Sequence, residues 1–380
     1  MQVPAQVEYE RATSVSHALA LLARYGPEAR ILAGGHSLIP MMKLRLAQPE
    51  VLIDINGITD LRHITKSGGV LRIGTLARHA DLLESALAGE HFAILHDAER
   101  VIADPIVREW GTVGGSLCQA DPSEDLSAAF AALTGTMLIT GPNGTREVAA
   151  RQFHLGPYET VVGPAEMLTE IRLPISPKGA TPLYSPGGAT PLSTPRQRGE
   201  PPFHPLPGGT GTDRRPPGLG SSGLRSDPRQ PAQNAGSRAG GLGTSAFGSA
   251  YIKVARRAGD WPVGAAGAAV WLGAVPLRAA ASAAPLIEDV GIGLTALGAR
   301  NFVAAEAEDF LRGRPATEEN LRRTGEIAAS HCRPVADQRG PEDYKRHLAG
   351  ELTIRALRLA IARASDVGAG GARVVAGEQE

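Results

Sequence analysis

Residues 33–37 read Ala-Gly-Gly-His-Ser and residues 112–116 read Thr-Val-Gly-Gly-Ser, so the first third of the chain holds two glycine pairs, each near a hydroxyl. Each pair follows a stretch that we expect to be a strand. A glycine pair lets the backbone approach a phosphate closely, because no Cβ intervenes and positive φ is allowed. Successive amides in such a loop form a concave anion site. The two loops together predict a diphosphate held from both sides, and plain tight turns are the alternative for either loop alone.

The composition argues against several classes of protein. Lys+Arg and Asp+Glu both number 39 among 380 residues. The chain therefore has no excess of basic residues to neutralise the phosphates of a nucleic acid, and we expect no such partner. Cys118 and Cys332 form no zinc or iron–sulfur spacing and argue against a disulfide-stapled secreted protein. We find no signal peptide pattern and no apolar stretch long enough to span a membrane, and therefore expect a cytoplasmic protein without a metal site of its own.

Hydrophobic periodicity divides most of the chain into three units. Residues 1–57 read as an α/β unit, and residues 58–175 as a second mixed unit that ends in a hairpin and a strand. Residues 248–366 combine strands with three helices, and residues 367–380 read as a flexible tail. The three predicted helices cover residues 303–312, 316–330 and 341–364.

Some predictions inside these units are specific enough to be checked. The spacing predicts a helix over 15–25 with Ser14 as its N-cap. It also predicts helices over 76–87 and 125–133. Residues 263–272 are small and apolar, which is typical of a buried strand or a tight helix.

Residues 176–245 differ sharply from the rest, with 13 prolines and 14 glycines. Such a segment cannot bury enough apolar surface to offset its ordering entropy, so we predict a disordered insert over 176–247. A proline-rich docking segment is one alternative. The composition also resembles GC-rich coding sequence read out of frame, which leaves open a frameshift artefact and a non-functional gene product.

The usual nucleotide-binding motifs are missing. The chain has no Gly-x-x-x-x-Gly-Lys-Ser/Thr, and no Gly-x-Gly-x-x-Gly opens an early helix. A nucleoside triphosphate or a nicotinamide bound in the usual way is therefore disfavoured. Two separated loops favour an extended dinucleotide.

The flanks of the two loops are more specific than the loops themselves. Residues 38–45 read Leu-Ile-Pro-Met-Met-Lys-Leu-Arg, and residues 117–125 read Leu-Cys-Gln-Ala-Asp-Pro-Ser-Glu-Asp. Together with Tyr251-x-Lys253 and with residues 337–348 (Asp-Gln-Arg-Gly-Pro-Glu-Asp-Tyr-Lys-Arg-His-Leu), they resemble the FAD-binding medium subunit of molybdenum hydroxylases. Aerobic carbon monoxide dehydrogenase is the nearest type and the xanthine dehydrogenase flavin domain a more distant one. The resemblance covers the chain except for the predicted insert.

The resemblance implies an α+β fold. Residues 1–57 and 58–175 become the two subdomains of an FAD-binding fold of the vanillyl-alcohol oxidase/xanthine dehydrogenase type. Residues 248–366 become a C-terminal α+β domain with a small sheet and three helices.

The resemblance also implies roles for individual residues. Residues 33–37 and 112–116 resemble the diphosphate loops, and Asp121 and Asp125 resemble carboxylates that bind flavin or sugar hydroxyls. Leu168 is similar to a residue that packs near a ring of the cofactor. Lys253 resembles a lysine whose charge faces the flavin, and Trp261 stands where the family has Tyr or Phe beside the isoalloxazine. A turn residue at Asp121 and an ordinary core aromatic at Trp261 are the alternatives. The implied cofactor-binding set is Ala33, Gly34, Gly35, His36, Ser37, Leu38, Thr112, Gly114, Gly115, Ser116, Asp121, Asp125, Leu168, Lys253 and Trp261.

His36 leaves a second interpretation open. Gly-Gly-His-Ser also occurs in flavin oxidases of the vanillyl-alcohol oxidase class, in which that histidine bonds covalently to the flavin. The chain would then be a stand-alone FAD oxidase. The longer resemblance predicts non-covalent FAD instead.

The resemblance implies an electron-transfer subunit in which the flavin performs the redox chemistry and no side chain is catalytic. A large subunit with a molybdenum cofactor oxidises the substrate. A small subunit carries the electrons through two [2Fe–2S] clusters to the FAD, which passes them to an external acceptor. We expect a hetero-oligomer with two copies each of the large, medium and small subunits. The absence of cluster-ligand and molybdopterin motifs from this sequence agrees with that division.

Overall fold

In the computed structural model the described residues are 3–175, 246–273 and 284–376, with residues 367–376 described as backbone only. These three segments form one compact body of the structure. Residues 176–245 lie outside the described residues, so the disorder predicted for the insert stays a prediction.

The first unit is a small parallel sheet covered by one helix. Strand order is β1-β3-β2, and the apolar side of α1 packs on it through Ala18, Leu21 and Leu22. The Ser14 hydroxyl caps α1 by accepting the amide of His17, which confirms the predicted helix and its cap. The elements are β1 (Glu8–Arg11), α1 (Val15–Tyr25), β2 (Ala29–Leu32), α2 (Leu38–Lys43) and β3 (Val51–Asp54).

The second unit is a five-stranded antiparallel sheet packed against helices. Strand β10 lies at its centre between β5 and β6, in the order β4-β5-β10-β6-β7. Every residue of α8 is buried, so this helix forms the middle of the core. The elements are β4 (Ile64–Ser67), β5 (Val70–Gly74), α3 (His79–Glu84), α4 (Ala86–His91), α5 (Ala93–Val101), α6 (Pro105–Trp110), α7 (Val113–Gln119), α8 (Asp125–Ala132), β6 (Thr136–Gly141), β7 (Gly144–Ala149), α9 (Ala150–Phe153), β8 (His154–Gly156), β9 (Glu159–Thr160) and β10 (Met167–Pro174).

The third unit is a three-stranded antiparallel sheet in the order β11-β12-β13. One face contacts α5 and α8 of the second unit, and the other packs against α10 and α12. Because both faces are buried, β12 shows no polar alternation, which is why the sequence could not distinguish a strand from a helix over 263–272. The elements are β11 (Ala246–Ala255), β12 (Pro262–Leu272), β13 (Ile287–Thr295), α10 (Ala305–Leu311), α11 (Glu318–His331) and α12 (Glu342–Ala376).

Glycines allow the second and third units to pack closely. A Cβ on Gly291 would overlap the carbonyl oxygen of Ala132, and one on Gly293 would overlap that of Ala128. The backbone of α8 therefore lies directly on β13. This contact fixes the position of α8, whose first residue is the predicted site residue Asp125.

Two local predictions are wrong. The helix predicted over 76–87 is two short helices, because Ser85 is extended (φ −68°, ψ 103°) and its hydroxyl accepts the amide of Ala88 to cap α4. The stretch before the second glycine pair is helix α6 rather than a strand, and the pair itself lies in the first turn of α7.

The bounds of two elements extend past the predicted domain limits. Strand β11 begins at Ala246, two residues inside the predicted insert, and α12 continues to Ala376, well into the predicted tail. In the part of the chain that the structure describes, no helix is long and apolar enough to cross a membrane. The same residues bring together no group of His, Cys, Asp and Glu side chains suited to a metal ion.

Candidate cofactor site

A cleft of about 940 Å³ collects nearly all of the predicted site residues. Its walls come from all three units: the loop after β2, the segment from α6 into α7, the start of β10, and the turn between β11 and β12. Fourteen of the fifteen predicted residues line it, and the exception is Asp121.

The first glycine loop offers backbone donors to this cleft. Among the described residues, the amides of Gly34, Gly35, His36 and Ser37 have no hydrogen-bond acceptor. Gly35 has a φ of +77°, which a glycine adopts without strain. Four consecutive unpaired N–H groups at the start of a helix form the kind of concavity that binds a phosphate group.

The second glycine loop is different, because its amides already have acceptors. The amides of Val113 and Gly114 donate to the carbonyls of Ala77 and Thr75, each over 2.9 Å. The amide of Gly115 donates to the Oγ1 of Thr112, the N-cap of α7, over 3.1 Å. The prediction that both loops hold a diphosphate through their amides therefore receives support only in the first loop.

The two loops contact each other directly. A Cβ on Gly34 would overlap the carbonyl oxygen of Trp110, and it would lie 2.9 Å from the Cα of Gly111. A short chain of hydrogen bonds ties the loops as well. The guanidinium of Arg78 donates to the carbonyl of Trp110 and, over 2.8 Å, to the Oδ1 of Asn56, whose Nδ2 donates over 2.7 Å to the carbonyl of Ala33.

Asp125, Tyr251 and Lys253 form a buried cluster on another wall of the cleft. The Tyr251 hydroxyl donates to Asp125 Oδ1 over 2.8 Å, and the Lys253 ammonium donates to Oδ2 over 2.9 Å and to the carbonyl of Val101 over 3.0 Å. Burial raises the pKa of Asp125 to about 6, although Lys253 and Tyr251 act in the opposite direction. Burial also raises the pKa of Tyr251, and the Asp125 charge raises it further. Both carboxylate oxygens of Asp125 thus accept hydrogen bonds from side chains of the protein. A direct hydrogen bond between Asp125 and a hydroxyl of the flavin stays a prediction.

Asp121 occupies a turn outside the cleft lining. Its Oδ1 accepts the amide of Ser123 over 2.9 Å, and its Oδ2 accepts the hydroxyl of Tyr158 over 3.0 Å. Tyr158 itself lines the cleft. This geometry agrees with the alternative that Asp121 is a turn residue, acting on the cleft only by holding Tyr158.

The turn between β11 and β12 carries Trp261 to the edge of the cleft. The side chain is 45% exposed, and its backbone N–H donates to Asp260 Oδ1 over 2.9 Å. Gly259, with a φ of +76°, lets the turn pack against Ala103 just before α6. An exposed indole on a cleft wall is unlike a core aromatic, and it remains available to a ring bound in the cleft.

Three further polar residues of the cleft went unnoticed in the sequence. The Thr75 Oγ1 is buried and has no partner among the described residues. Glu124 caps α8 by accepting the amides of Leu126 and Ser127, and it accepts the Ser116 hydroxyl over 2.9 Å. His79 is buried against Glu99. Glu124 directly precedes a predicted helix, and this position could have identified it as a helix cap. Nothing in the sequence around Thr75 or His79 indicates their place in the cleft.

Neither cysteine is a reactive thiol. Cys118 is exposed at the cleft, and desolvation there raises the pKa of its thiol to about 12. Cys332 is buried in the C-terminal core, where burial likewise raises its pKa to about 12. Both thiols therefore stay protonated at neutral pH and are poor nucleophiles.

The cleft fits FAD on three structural grounds. It offers four unpaired amides in the first loop for a diphosphate and an unpaired hydroxyl at Thr75. Its volume lies at the upper end of the range for ligand sites. The flavin supplies the redox chemistry, and the chain supplies its position and electrostatic surroundings.

Comparison with known proteins identifies the two domains of the chain. Residues 5–176 match the family described as the FAD binding domain in molybdopterin dehydrogenase, and residues 249–360 match the CO dehydrogenase flavoprotein C-terminal domain. The carbon monoxide dehydrogenase medium chain of Hydrogenophaga pseudoflava is 31% identical over 361 residues, covering 95% of this chain and 99% of the relative. The medium chain from Afipia carboxidovorans is 30% identical, covering 96% of this chain and 100% of the relative.

The fold comparison gives the same result. A carbon monoxide dehydrogenase structure from Hydrogenophaga pseudoflava, which lacks the Mo-pyranopterin moiety of the molybdenum cofactor, aligns with a TM-score of 0.71. The alignment covers 95% of this chain and 99% of the matched chain at 31% identity. These matches confirm the resemblance and the fold class inferred from the two loops and their flanks.

Proposed function

Because this chain belongs to the family of FAD-binding medium subunits that includes the carbon monoxide dehydrogenase medium chains, we propose that it passes electrons through FAD within a molybdenum hydroxylase. In this proposal a small partner subunit with [2Fe–2S] clusters delivers the electrons, and a large partner subunit with a molybdenum cofactor oxidises the substrate. An external acceptor then removes the electrons from the FAD. The observation that carries the proposal is the row of unpaired amides at residues 34–37, which opens into a cleft walled by both the N-terminal units and the C-terminal domain.

The chain's residues divide the work of holding the cofactor. The amides of residues 34–37 bind the diphosphate. Lys253 places a positive charge at the flavin end and so favours the anionic reduced flavin. Trp261 covers the isoalloxazine, with Leu168 packed against a ring. The buried Asp125 fixes the Lys253 ammonium in place.

The proposed assembly contains two copies each of the large, medium and small subunits, located in the cytoplasm. The medium chains that this protein resembles are subunits by name. A subunit that receives electrons from a cluster on a partner needs a close interface with that partner. The substrate is selected by the large subunit and is not encoded in this cleft.

Purification of the full chain from its own cells through an affinity tag tests the assembly. We expect a yellow complex of three subunit types that contains FAD, molybdenum and iron. The electron-transfer step is tested by mixing the FAD-loaded chain, without oxygen, with the small subunit after dithionite has reduced its clusters. We expect the visible flavin band to bleach; a stable complex whose clusters stay reduced while the flavin stays oxidised contradicts the proposal.

Acid precipitation separates this proposal from its two alternatives. We expect FAD in the supernatant, because the proposed cofactor is non-covalent. Flavin retained in the pellet of the wild type but lost from a His36→Gln variant supports the stand-alone covalent oxidase. A folded chain that binds no flavin at all supports the non-functional gene product, and sequencing the DNA across residues 176–247 then tests for a frameshift.

A further inference from the structure

His79 and Glu99 form a buried pair at the edge of the cofactor cleft. His79 is the first residue of α3 and Glu99 lies in α5, and their side chains are 5% and 0% exposed. The His79 Nδ1 lies 3.0 and 3.1 Å from the two carboxylate oxygens of Glu99. A carboxylate on one ring nitrogen makes Nδ1 the proton donor and fixes the orientation of the ring.

The other edge of the His79 ring faces the cleft, and its Nε2 has no hydrogen-bond partner among the described residues. A Cβ placed on Gly111 would lie 2.8 Å from His79 Cδ2 and 3.3 Å from Nε2. The His79 backbone N–H also donates to the Gly111 carbonyl over 3.1 Å. Gly111 also contacts the first loop: after Trp110, it is the residue nearest to the Cβ position of Gly34. The imidazole therefore lies where the two glycine loops meet.

This junction lacks donors on the side of the second loop. The amides of Val113, Gly114 and Gly115 are all committed to acceptors inside the protein. A diphosphate held by the amides of residues 34–37 would consequently be bound from one side only. The ring edge of His79 is placed to supply the missing donor.

Several charged groups set the protonation of His79. Burial alone lowers its pKa, but the Glu99 charge and hydrogen bond outweigh burial and raise it overall. A raised pKa favours the imidazolium form, in which both ring nitrogens are donors. The ionisable groups that face the pair are Glu99 from α5, Arg108 from α6, Glu124 and Asp125 at the start of α8, and Lys253 of β11 through its bond to Asp125.

We propose that His79, oriented by Glu99, donates a charged hydrogen bond from Nε2 to the diphosphate of FAD at the junction of the two loops. The inference rests on the FAD site described above and adds a ligand that the loop motifs do not contain. Glu99 is a positioning residue in this scheme, since it acts only through the imidazole. No electron passes through the pair, and the proton stays on His79 while FAD is bound.

The test is FAD binding to the full chain after its cofactor has been removed, in the wild type and in three variants. His79→Gln removes the charge, Glu99→Gln keeps the shape of the carboxylate without its charge, and His91→Gln is a control outside the cleft. Dissociation constants are measured for FAD and for riboflavin, which lacks phosphates. At neutral pH we expect His79→Gln to weaken FAD about tenfold, the size typical of a charged hydrogen bond, and to leave riboflavin and the control unchanged.

The pH profile distinguishes this role from a structural one. In Glu99→Gln, burial lowers the pKa of His79 against only the weaker effects of the Glu124 and Asp125 charges. FAD binding relative to the wild type should then weaken as the pH rises and approach the His79→Gln value at the alkaline end. Each dissociation constant is divided by that of the wild type at the same pH, which removes the contribution of Asp125 titration. A flat ratio for Glu99→Gln, or equal losses for FAD and riboflavin, overturns the inference; a wild type that binds no FAD overturns the proposed function as well.

Discussion

The Lys253 ammonium and the Asp125 carboxylate form a hydrogen-bonded ion pair of 2.9 Å that joins β11 to the first residue of α8. Their side chains are 4% and 5% exposed, so both charges are almost fully removed from water. One partner comes from the C-terminal domain and the other from the second unit. The pair therefore links the two sides of the predicted insert at the wall of the cofactor cleft.

Breaking this pair should destabilise the chain strongly. Lys253→Met leaves the Asp125 carboxylate buried without a cation, and we expect the free energy of unfolding to fall by about 3 kcal/mol. The measurement is urea unfolding of the full chain without FAD. Lys253→Met combined with Asp125→Asn should recover part of the loss, because the unpaired charge is gone.

The matched control for this prediction is an exposed pair. Arg358 and Glu318 form a bidentate contact on the surface, with side chains 49% and 60% exposed. Arg358→Met should leave the unfolding curve nearly unchanged, since solvent screens such pairs. If Lys253→Met and Arg358→Met lower the free energy of unfolding equally, the buried pair contributes no more to stability than an exposed one.

Asp125 should also make stability depend on pH in an unusual direction. Its pKa rises from an ordinary 3.8 to about 6 in the folded chain, so the folded state binds this proton more tightly than the unfolded state does. The resulting stabilisation is complete below about pH 4 and is lost as the pH rises through 6. A rise of this size corresponds to about 3 kcal/mol. Asp125→Asn removes this contribution.

The check is the difference in unfolding free energy between the wild type and Asp125→Asn, measured from pH 4 to pH 7. We expect the wild type to lose stability relative to the variant over this range. Using the difference removes the carboxylates whose pKa values are lowered, such as Glu170 and Asp337, because they titrate alike in both proteins. A difference that stays constant with pH would contradict the raised pKa of Asp125.

Sequence patterns predicted the parts of the fold that local rules control. The cap at Ser14, the helix over 15–25 and the long C-terminal helix follow from capping and periodicity, and the structure confirms them. The glycine pairs with their flanks identified the family. These signals come from residues that are adjacent in the chain, so they can be recognised without knowledge of tertiary contacts.

The remaining features depend on long-range contacts that no local pattern encodes. The two glycine pairs look alike in the sequence, yet only the first keeps its amides unpaired, because the Thr75 carbonyl and the Thr112 hydroxyl accept those of the second. The pairing of His79 with Glu99 is equally invisible, since it depends on how α3 packs on α5. The break at Ser85 shows the same limit on a smaller scale, because helical spacing continues through the cap.

The contact between the loops gives a third prediction. In Gly34→Ala the new methyl group overlaps the Trp110 carbonyl, so the loops must separate. Overpacking of this kind costs about 1–3 kcal/mol, and we expect FAD affinity to fall about ten- to hundredfold. Titration of the cofactor-free chain with FAD measures the effect.

Gly89→Ala is the control for this substitution. Gly89 lies in α4, and a Cβ there meets no heavy atom within 4 Å. Alanine is the better helix former by about 0.5–1 kcal/mol, so stability should rise slightly and FAD affinity should stay the same. Unchanged FAD affinity in Gly34→Ala would mean that the loop contact does not shape the site.

The fourth prediction concerns the flavin end of the cleft. An indole stacked on an isoalloxazine quenches its fluorescence by donating an electron to the excited ring, and Trp261 is the tryptophan that lines the cleft among the described residues. Trp261→Leu should therefore raise the emission of bound FAD severalfold. Trp110→Leu serves as the control, since Trp110 is 58% exposed and lies outside the cleft lining. If both variants leave the emission at the wild-type level while FAD stays bound, Trp261 does not stack on the flavin, and the ring end of the cofactor lies elsewhere in the cleft.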